Sequence, residues 1–194
     1  EETNEDMMLL TGAESNDVYR SVFSIFKSRS IWLVTNLFAT IVAASVVGEF
    51  QDIIAQLSIL AVLMPIVASM GGTTGQQTLA VVVRSLATKE LNSRNALRMI
   101  GKEFMVGLCN GLLFAVMIGI AVRIWFPGQE MISYIIALAM LCNLTVASLA
   151  GILIPLTINR LKIDPAIASG VFLIACTDSG GYFIFLGLAK LLLF

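Results

Sequence analysis

The segment PAIASGVFLIACTDSGGYFIFLGLA, residues 165–189, decides the fold class of this chain. It is long enough to cross a bilayer as an α-helix, and its one charged residue, Asp178, lies near the midpoint. A carboxylate at that depth costs about 2.5–3.5 kcal/mol or more, so such residues usually face a bundle interior and mark an ion or proton path. The structural alternative is a protonated Asp178 that bonds to a neighbouring helix.

The composition of the whole chain is that of an integral membrane domain in contact with lipid. Of 194 residues, 58% are hydrophobic and 13% are charged, and the mean hydropathy is +0.91. These values lie far outside the usual range of soluble proteins. The net charge of -1 gives no reason to expect a nucleic-acid partner, and the absence of histidine excludes imidazole metal sites and histidine-based triads. We expect a transport domain and not an enzyme.

Four apolar runs precede the opening segment and predict an all-α membrane protein with five transmembrane helices. The predicted spans are 31–48, 53–83, 104–122, 131–159 and 165–189. Residues 1–30 are polar and are predicted to form a cytosolic linker or surface helix, which leaves residues 31–194 as a transmembrane pore domain. Because residue 1 is glutamate and no signal peptide precedes the apolar body, we expect a domain of a longer protein.

The lysine and arginine residues predict the orientation of the spans, because cytoplasmic loops are rich in them. Arg123 and Lys190 lie on one side of the predicted membrane. The other side carries Arg20, Lys27, Arg29, Arg84, Lys89, Arg94, Arg98, Lys102, Arg160 and Lys162. We therefore predict a cytosolic N-terminus and a C-terminus outside.

The second predicted span contains a polar, glycine-rich segment, SMGGTTGQQT at residues 69–78. The run 53–83 is longer than a bilayer requires, and glycines with clustered hydroxyls and amides are poor helix interior. We predict a glycine-rich break in this helix, where carbonyl and side-chain oxygens line a cation path. The alternative is a helix interface at which the glycines allow close packing.

Other small and polar residues in the spans predict contacts between helices. Gly107, Gly111, Ala115 and Gly119 recur every four residues, which is typical of a face where two membrane helices approach closely. Asn110 and Asn143 are each predicted either to bond between helices or to support a functional site.

The chain contains three distinctive motifs, MPIVASMGGTTGQQTLAVVVRSLAT (64–88), LKIDPAIASG (161–170) and TDSGGYFIFLGLAK (177–190). In matching order, these motifs resemble the transmembrane domain of the MgtE-type magnesium channels. The resemblance implies magnesium as the transported ion and a multi-pass location in a cell membrane of the bacterial inner-membrane type. It also implies a homodimer whose pore lies on the two-fold axis, lined by the second and fifth spans. Cytosolic N and CBS domains that sense magnesium are expected in the full-length chain.

The resemblance also implies the metal site. The pore aspartate of the family falls on Asp178, contributed once by each subunit to a site for hydrated Mg²⁺. Magnesium keeps several waters and takes one or two carboxylates, and we expect those waters to donate to backbone carbonyls on the second and fifth spans. The family's glycine segment commonly reads GGNxGNQ, and here Thr73 and Gln76 replace the two asparagines. The predicted site residues are Asp178, Ile174, Ala175, Gly71, Gly72, Thr73 and Gln76.

A proton-coupled secondary transporter is the alternative function. In that class Asp178 would carry the proton, as lone membrane carboxylates do in proton relays. Broken helices near the bilayer midplane also occur in secondary transporters.

Overall fold

The computed structural model describes residues 19–91 and 95–193, apart from the side chain of Ile167. Its α-helices in these ranges are α1 (Val22–Gly48), α2 (Gln51–Gln56), α3 (Ile59–Ala87), α4 (Ala96–Trp125), α5 (Glu130–Arg160) and α6 (Pro165–Leu193). All except the short α2 contain a segment long and apolar enough to cross a membrane. The prediction of an all-α protein with five membrane spans is confirmed.

The first membrane helix begins earlier than predicted, at Val22 instead of residue 31. Ser21 caps it, because the Ser21 hydroxyl accepts a hydrogen bond from the backbone amide of Ser24 at 3.4 Å. Residues 22–30, predicted as part of a linker or surface helix, are thus the first turns of a continuous helix. Long basic side chains near a helix end extend to the membrane surface, so charge there does not stop the helix. Residues 1–18 of the predicted linker lie outside the described residues.

The chain turns before α3 and not within it. Helix α2 ends at Gln56 and α3 begins at Ile59, with a hydrogen bond from the Leu57 amide to the Ile53 carbonyl oxygen at 2.9 Å. The predicted second span, which started at residue 53, therefore combined the end of α2 with α3. The prediction of a glycine-rich break in this helix was wrong, because α3 is a continuous helix from Ile59 to Ala87.

Helix α5 lies at the centre of the bundle. It packs against α3, α4 and α6, whereas α1 packs against α6, and α3 also packs against α6. The largest hydrophobic cluster joins α2, α3, α5 and α6 through side chains such as Leu63, Ile135 and Phe185. This arrangement places α3 and α6 side by side on α5, with α4 and α1 on the outside.

The small residues of α4 form its contact with α5. A β-carbon on Gly111 would lie 2.9 Å from the carbonyl oxygen of Leu141, and one on Gly107 would lie 2.8 Å from Cβ of Ser148. Approaches that close require the missing side chain. The predicted packing face is confirmed, and it is used within one chain.

Candidate functional site

Asp178 lies half-buried on α6, one residue after the buried Thr177. The Thr177 hydroxyl bonds within its own helix, to the carbonyl oxygens of Leu173 at 2.9 Å and Ile174 at 3.3 Å. Among residues 19–91 and 95–193, no hydrogen bond or ion pair engages the Asp178 carboxylate. Within one chain, Asp178 therefore does not take the alternative role of bonding to a neighbouring helix.

The glycine-rich segment of α3 has one face that is buried against α5 and α6. A β-carbon on Gly71 would lie 2.5 Å from Nδ2 of Asn143, and one on Gly75 would lie 3.0 Å from Cδ1 of Leu173. The β-carbon on Gly75 would also lie 3.3 Å from the carbonyl oxygen of Ala147. The alternative prediction, a helix interface at which the glycines allow close packing, is confirmed for this face. It also explains why α3 stays helical, since these glycines allow close helix contacts that stabilise the segment.

The other face of the same segment is polar and exposed. Ser69, Thr73 and Gln76 follow one another at spacings of four and three, so they share one side of α3, and Gln77 lies beside them. We call these four residues the polar face. The Thr73 hydroxyl donates to the Ser69 carbonyl oxygen at 2.8 Å. Exposed polar groups on a membrane-spanning helix are satisfied by water or by protein and not by lipid.

The polar face of α3 lies beside the Asp178 segment of α6. A β-carbon on Gly72 would lie 4.0 Å from Oγ1 of Thr177, and these two residues directly precede Thr73 and Asp178. The structure thus brings two separate sequence motifs together at one level of the bundle. Gln76 lies one turn further along α3.

The predicted backbone ligands lie in unbroken helices. Ile174 and Ala175 are half-buried about one turn before Asp178 in α6, and Gly71 and Gly72 lie in the continuous α3. Their carbonyl oxygens therefore take part in helix hydrogen bonding. The carbonyl oxygen of Ile174 also lies 3.3 Å from the Thr177 hydroxyl, so of the four it is the one with an additional side-chain donor among the described residues.

Asn143 links three helices at this level. Its side chain is buried on α5, and Nδ2 donates to the carbonyl oxygen of Val67 on α3 at 2.6 Å. On α6, a β-carbon on Gly181 would lie 3.2 Å from the Asn143 Oδ1 atom. Of the two predicted roles for Asn143, the structure shows the interhelical hydrogen bond, which joins α5 to α3, while Gly181 of α6 packs close to the same side chain.

A second polar cluster, formed by Glu103 with Thr78 and Ser148, was not predicted from the sequence. Glu103 directly follows the stretch 84–102, which is rich in lysine and arginine. In the structure Glu103 lies within α4, where its carboxylate contacts hydroxyls from α3 and α5. A sequence signal existed, because Glu103 precedes Gly107 by four residues and so continues the small-residue face.

Comparison with known sequences assigns the chain to a family. Residues 64–188, which include the polar face and Asp178, match the family model MgtE, described as "Divalent cation transporter". The match covers more than half of the chain. The chain belongs to the MgtE family. Its five apolar helices accordingly make it a multi-pass membrane protein.

Several curated relatives of this MgtE-family chain are named "Magnesium transporter MgtE". The protein of Enterococcus faecalis is 34% identical over 191 residues, which is 98% of this chain and 42% of the relative. The protein of Bacillus subtilis is 35% identical over 158 residues, or 81% of this chain and 35% of the relative. The protein of Thermus thermophilus is 28% identical over 196 residues, or 99% of this chain and 43% of the relative. The MgtE-family chain thus spans less than half the length of these relatives.

Proposed function

We propose that this chain is a magnesium-conducting domain that works as a dimer. Two copies form a pore on a two-fold axis, and Asp178 from each copy holds a hydrated Mg²⁺ near the membrane midplane. The observation that carries the proposal is an unpartnered carboxylate on α6 beside an exposed polar face on α3, within the part of the chain that the structure describes. The names of the relatives support magnesium as the ion.

The chemistry of the ion supports a second copy. In the part of the chain that the structure describes, no group of three or more cysteine, aspartate or glutamate side chains forms a metal cluster. A single chain therefore offers the ion one carboxylate at Asp178. A second copy adds the second carboxylate, and the dication offsets the repulsion between the two. Since the small-residue face of α4 is used by α5, we expect the dimer contact and pore on the α3 and α6 side.

The other predicted site residues contribute oxygen atoms in this proposal. Waters around the ion donate to the carbonyl oxygens of Ile174, Ala175, Gly71 and Gly72, while the polar face lines the path. We place the Arg84 end of α3 in the cytosol, following the distribution of lysine and arginine. The cytosolic N and CBS domains stay a prediction for the longer protein.

Ion flux into liposomes tests the proposed function. The purified chain, reconstituted around a magnesium-sensitive dye, is expected to admit Mg²⁺ down its electrochemical gradient without an imposed pH gradient. A proton-coupled carrier would instead take up Mg²⁺ in response to the pH gradient, with protons moving in a fixed ratio. Uptake that requires the pH gradient would contradict the channel and support the alternative function.

Cysteine labelling tests whether the polar face lines the pore. Cysteines at Thr73 and Gln76 are expected to react with a membrane-impermeant thiol reagent added on the cytosolic side, because their side chains meet water in the path. Thr74 is the matched control, since it neighbours Thr73 but is 8% exposed and faces the bundle. The background is a variant in which Cys109, Cys142 and Cys176 are replaced by serine. Equal protection of all three positions would contradict a pore along α3.

A further inference from the structure

A polar cluster away from Asp178 joins three membrane helices. The Thr78 hydroxyl on α3 donates to Oε2 of Glu103 on α4 at 2.7 Å. The Ser148 hydroxyl on α5 lies 3.0 Å from the Glu103 carbonyl oxygen and 3.4 Å from Oε2. The Thr78 and Ser148 hydroxyl oxygens are 3.3 Å apart. One carboxylate therefore contacts hydroxyls from two other helices.

The two hydroxyls that contact Glu103 are buried between the helices, and no basic side chain of the described residues competes with them. Thr78 and Ser148 are buried, at 5% and 0% exposure. Within residues 19–91 and 95–193, no lysine or arginine forms an ion pair with Glu103. Glu103 itself is half-buried, and a hydrogen bond to a charged acceptor is stronger than one between neutral groups, so the Thr78 bond is the contact that ties α4 to α3.

Glycines on two helices bring the cluster together. A β-carbon on Gly151 of α5 would lie 2.8 Å from Cβ of Thr78, and one on Gly107 of α4 would lie 2.8 Å from Cβ of Ser148. Both glycines thus allow the hydroxyl-bearing residues to come within hydrogen-bond distance of Glu103. The glycine packing and the hydrogen bonds therefore both favour the same positions of α3, α4 and α5 relative to one another.

The cluster fixes which side of α3 faces away from the bundle. Thr78 and Gln76 are two positions apart, which corresponds to about 200° around an α-helix. Thr78 is buried and Gln76 is exposed. While Thr78 is bonded to Glu103, Ser69 and Gln76 of the polar face must therefore point in the opposite direction.

We propose that Glu103 is a positioning residue for conduction. Through its hydrogen bond with Thr78, it fixes the rotation of α3 about its axis and keeps the polar face directed at the ion path. Helix α4 packs mainly on α5, so the Glu103 side chain provides a link from α4 to the pore-lining helix. This role rests on the proposed function of α3 as a pore helix.

Paired variants test the positioning role. Glu103→Leu removes the acceptor, Thr78→Val removes the donor with little change in shape, and Glu103→Gln keeps an oxygen for Thr78. Thr145→Val is the control, because the Thr145 hydroxyl on α5 donates within its own helix, to the Leu141 carbonyl oxygen at 2.8 Å. The measurements are magnesium flux, melting temperature, and the labelling rate of a cysteine at Gln76 in each background.

We expect Glu103→Leu and Thr78→Val each to slow Gln76 labelling and magnesium flux by about tenfold, the size that loss of one hydrogen bond to a charged group implies. Glu103→Gln is expected to keep most of the labelling rate and most of the magnesium flux. Thr145→Val is expected to resemble the wild type in both measurements. The double variant should add little to either single change.

The labelling measurement separates this role from the proposed function, since it needs no transport. Unchanged labelling in folded Glu103→Leu and Thr78→Val would overturn the positioning role, even if both melted earlier. If Glu103→Leu fails to fold, the labelling rate in the Thr78→Val background alone tests the positioning role. A wild-type chain without magnesium flux would count against the proposed function, and altered labelling in the variants would still support the positioning of α3.

Discussion

Magnesium flux into liposomes is expected to fall about a hundredfold or more when Asp178 is replaced by asparagine, because a dication at low dielectric depends strongly on nearby negative charge. Asparagine keeps the size of the side chain and one oxygen atom. In the proposed dimer, the change removes two charges from one site. Since Asp178 makes no hydrogen bond or ion pair in the described residues, assembly and melting temperature should change little.

Two further variants test whether the loss of flux in Asp178→Asn comes from the lost charge at this position. Asp178→Glu should keep part of the flux with weaker discrimination among divalent cations, since the carboxylate survives but its reach changes. Glu130→Gln is the control, because it removes a carboxylate from the exposed ion pair with Arg123 at 2.8 Å, and exposed pairs contribute little. A folded, dimeric Asp178→Asn variant that passed magnesium at the wild-type rate would rule out the central site.

A loss of stability is expected from Gly151→Ala. A β-carbon on Gly151 would lie 2.6 Å from the carbonyl oxygen of Gly75 and 2.8 Å from Cβ of Thr78. The carbonyl oxygen belongs to the backbone of α3, so α3 and α5 must move apart. Overpacking of this kind costs about 1–3 kcal/mol, and thermal unfolding in detergent measures it as a lower melting temperature.

Gly101→Ala is the matched control for Gly151→Ala. Gly101 is also within a membrane helix, α4, away from the α3 and α6 side, and a β-carbon there would meet no atom within 4 Å. Alanine is the better helix former by about 1 kcal/mol, so this variant should melt at the same temperature or slightly higher. Equal melting of the two variants would contradict the close packing of α3 on α5.

The parts of the fold that hydropathy determines were predictable. Runs without charge identified five spans, and the lone charge in the last run identified Asp178, because a bilayer admits few charges and makes each one conspicuous. The start of α1 was not predictable in this way. Lys27 and Arg29 resemble a loop in composition, although long basic side chains near a helix end reach the membrane surface from within the helix.

Residues whose role depends on a neighbouring helix were harder to predict. The glycines in α3 suggested a break because isolated helices lose stability at glycine. In the structure, Gly71 and Gly75 pack closely against side chains and backbone of α5 and α6. These contacts cannot be predicted from the sequence around the glycines alone. The donors to Glu103 come from residues 25 and 45 positions away in the sequence. Such partners depend on which helices are neighbours in the bundle, and the hydropathy pattern does not indicate this.

The central position of α5 has a consequence for biogenesis. Helices enter the bilayer in the order of synthesis, and α5 is the fourth membrane span to emerge, after α3 and α4, which both pack against it. Until α5 arrives, Val67 and Glu103 lack the donors that Asn143 and Ser148 provide. The first four spans therefore cannot complete their polar contacts one at a time. We therefore expect the contacts of Asn143 and Ser148 to form only once α5 has entered the bilayer beside α3 and α4.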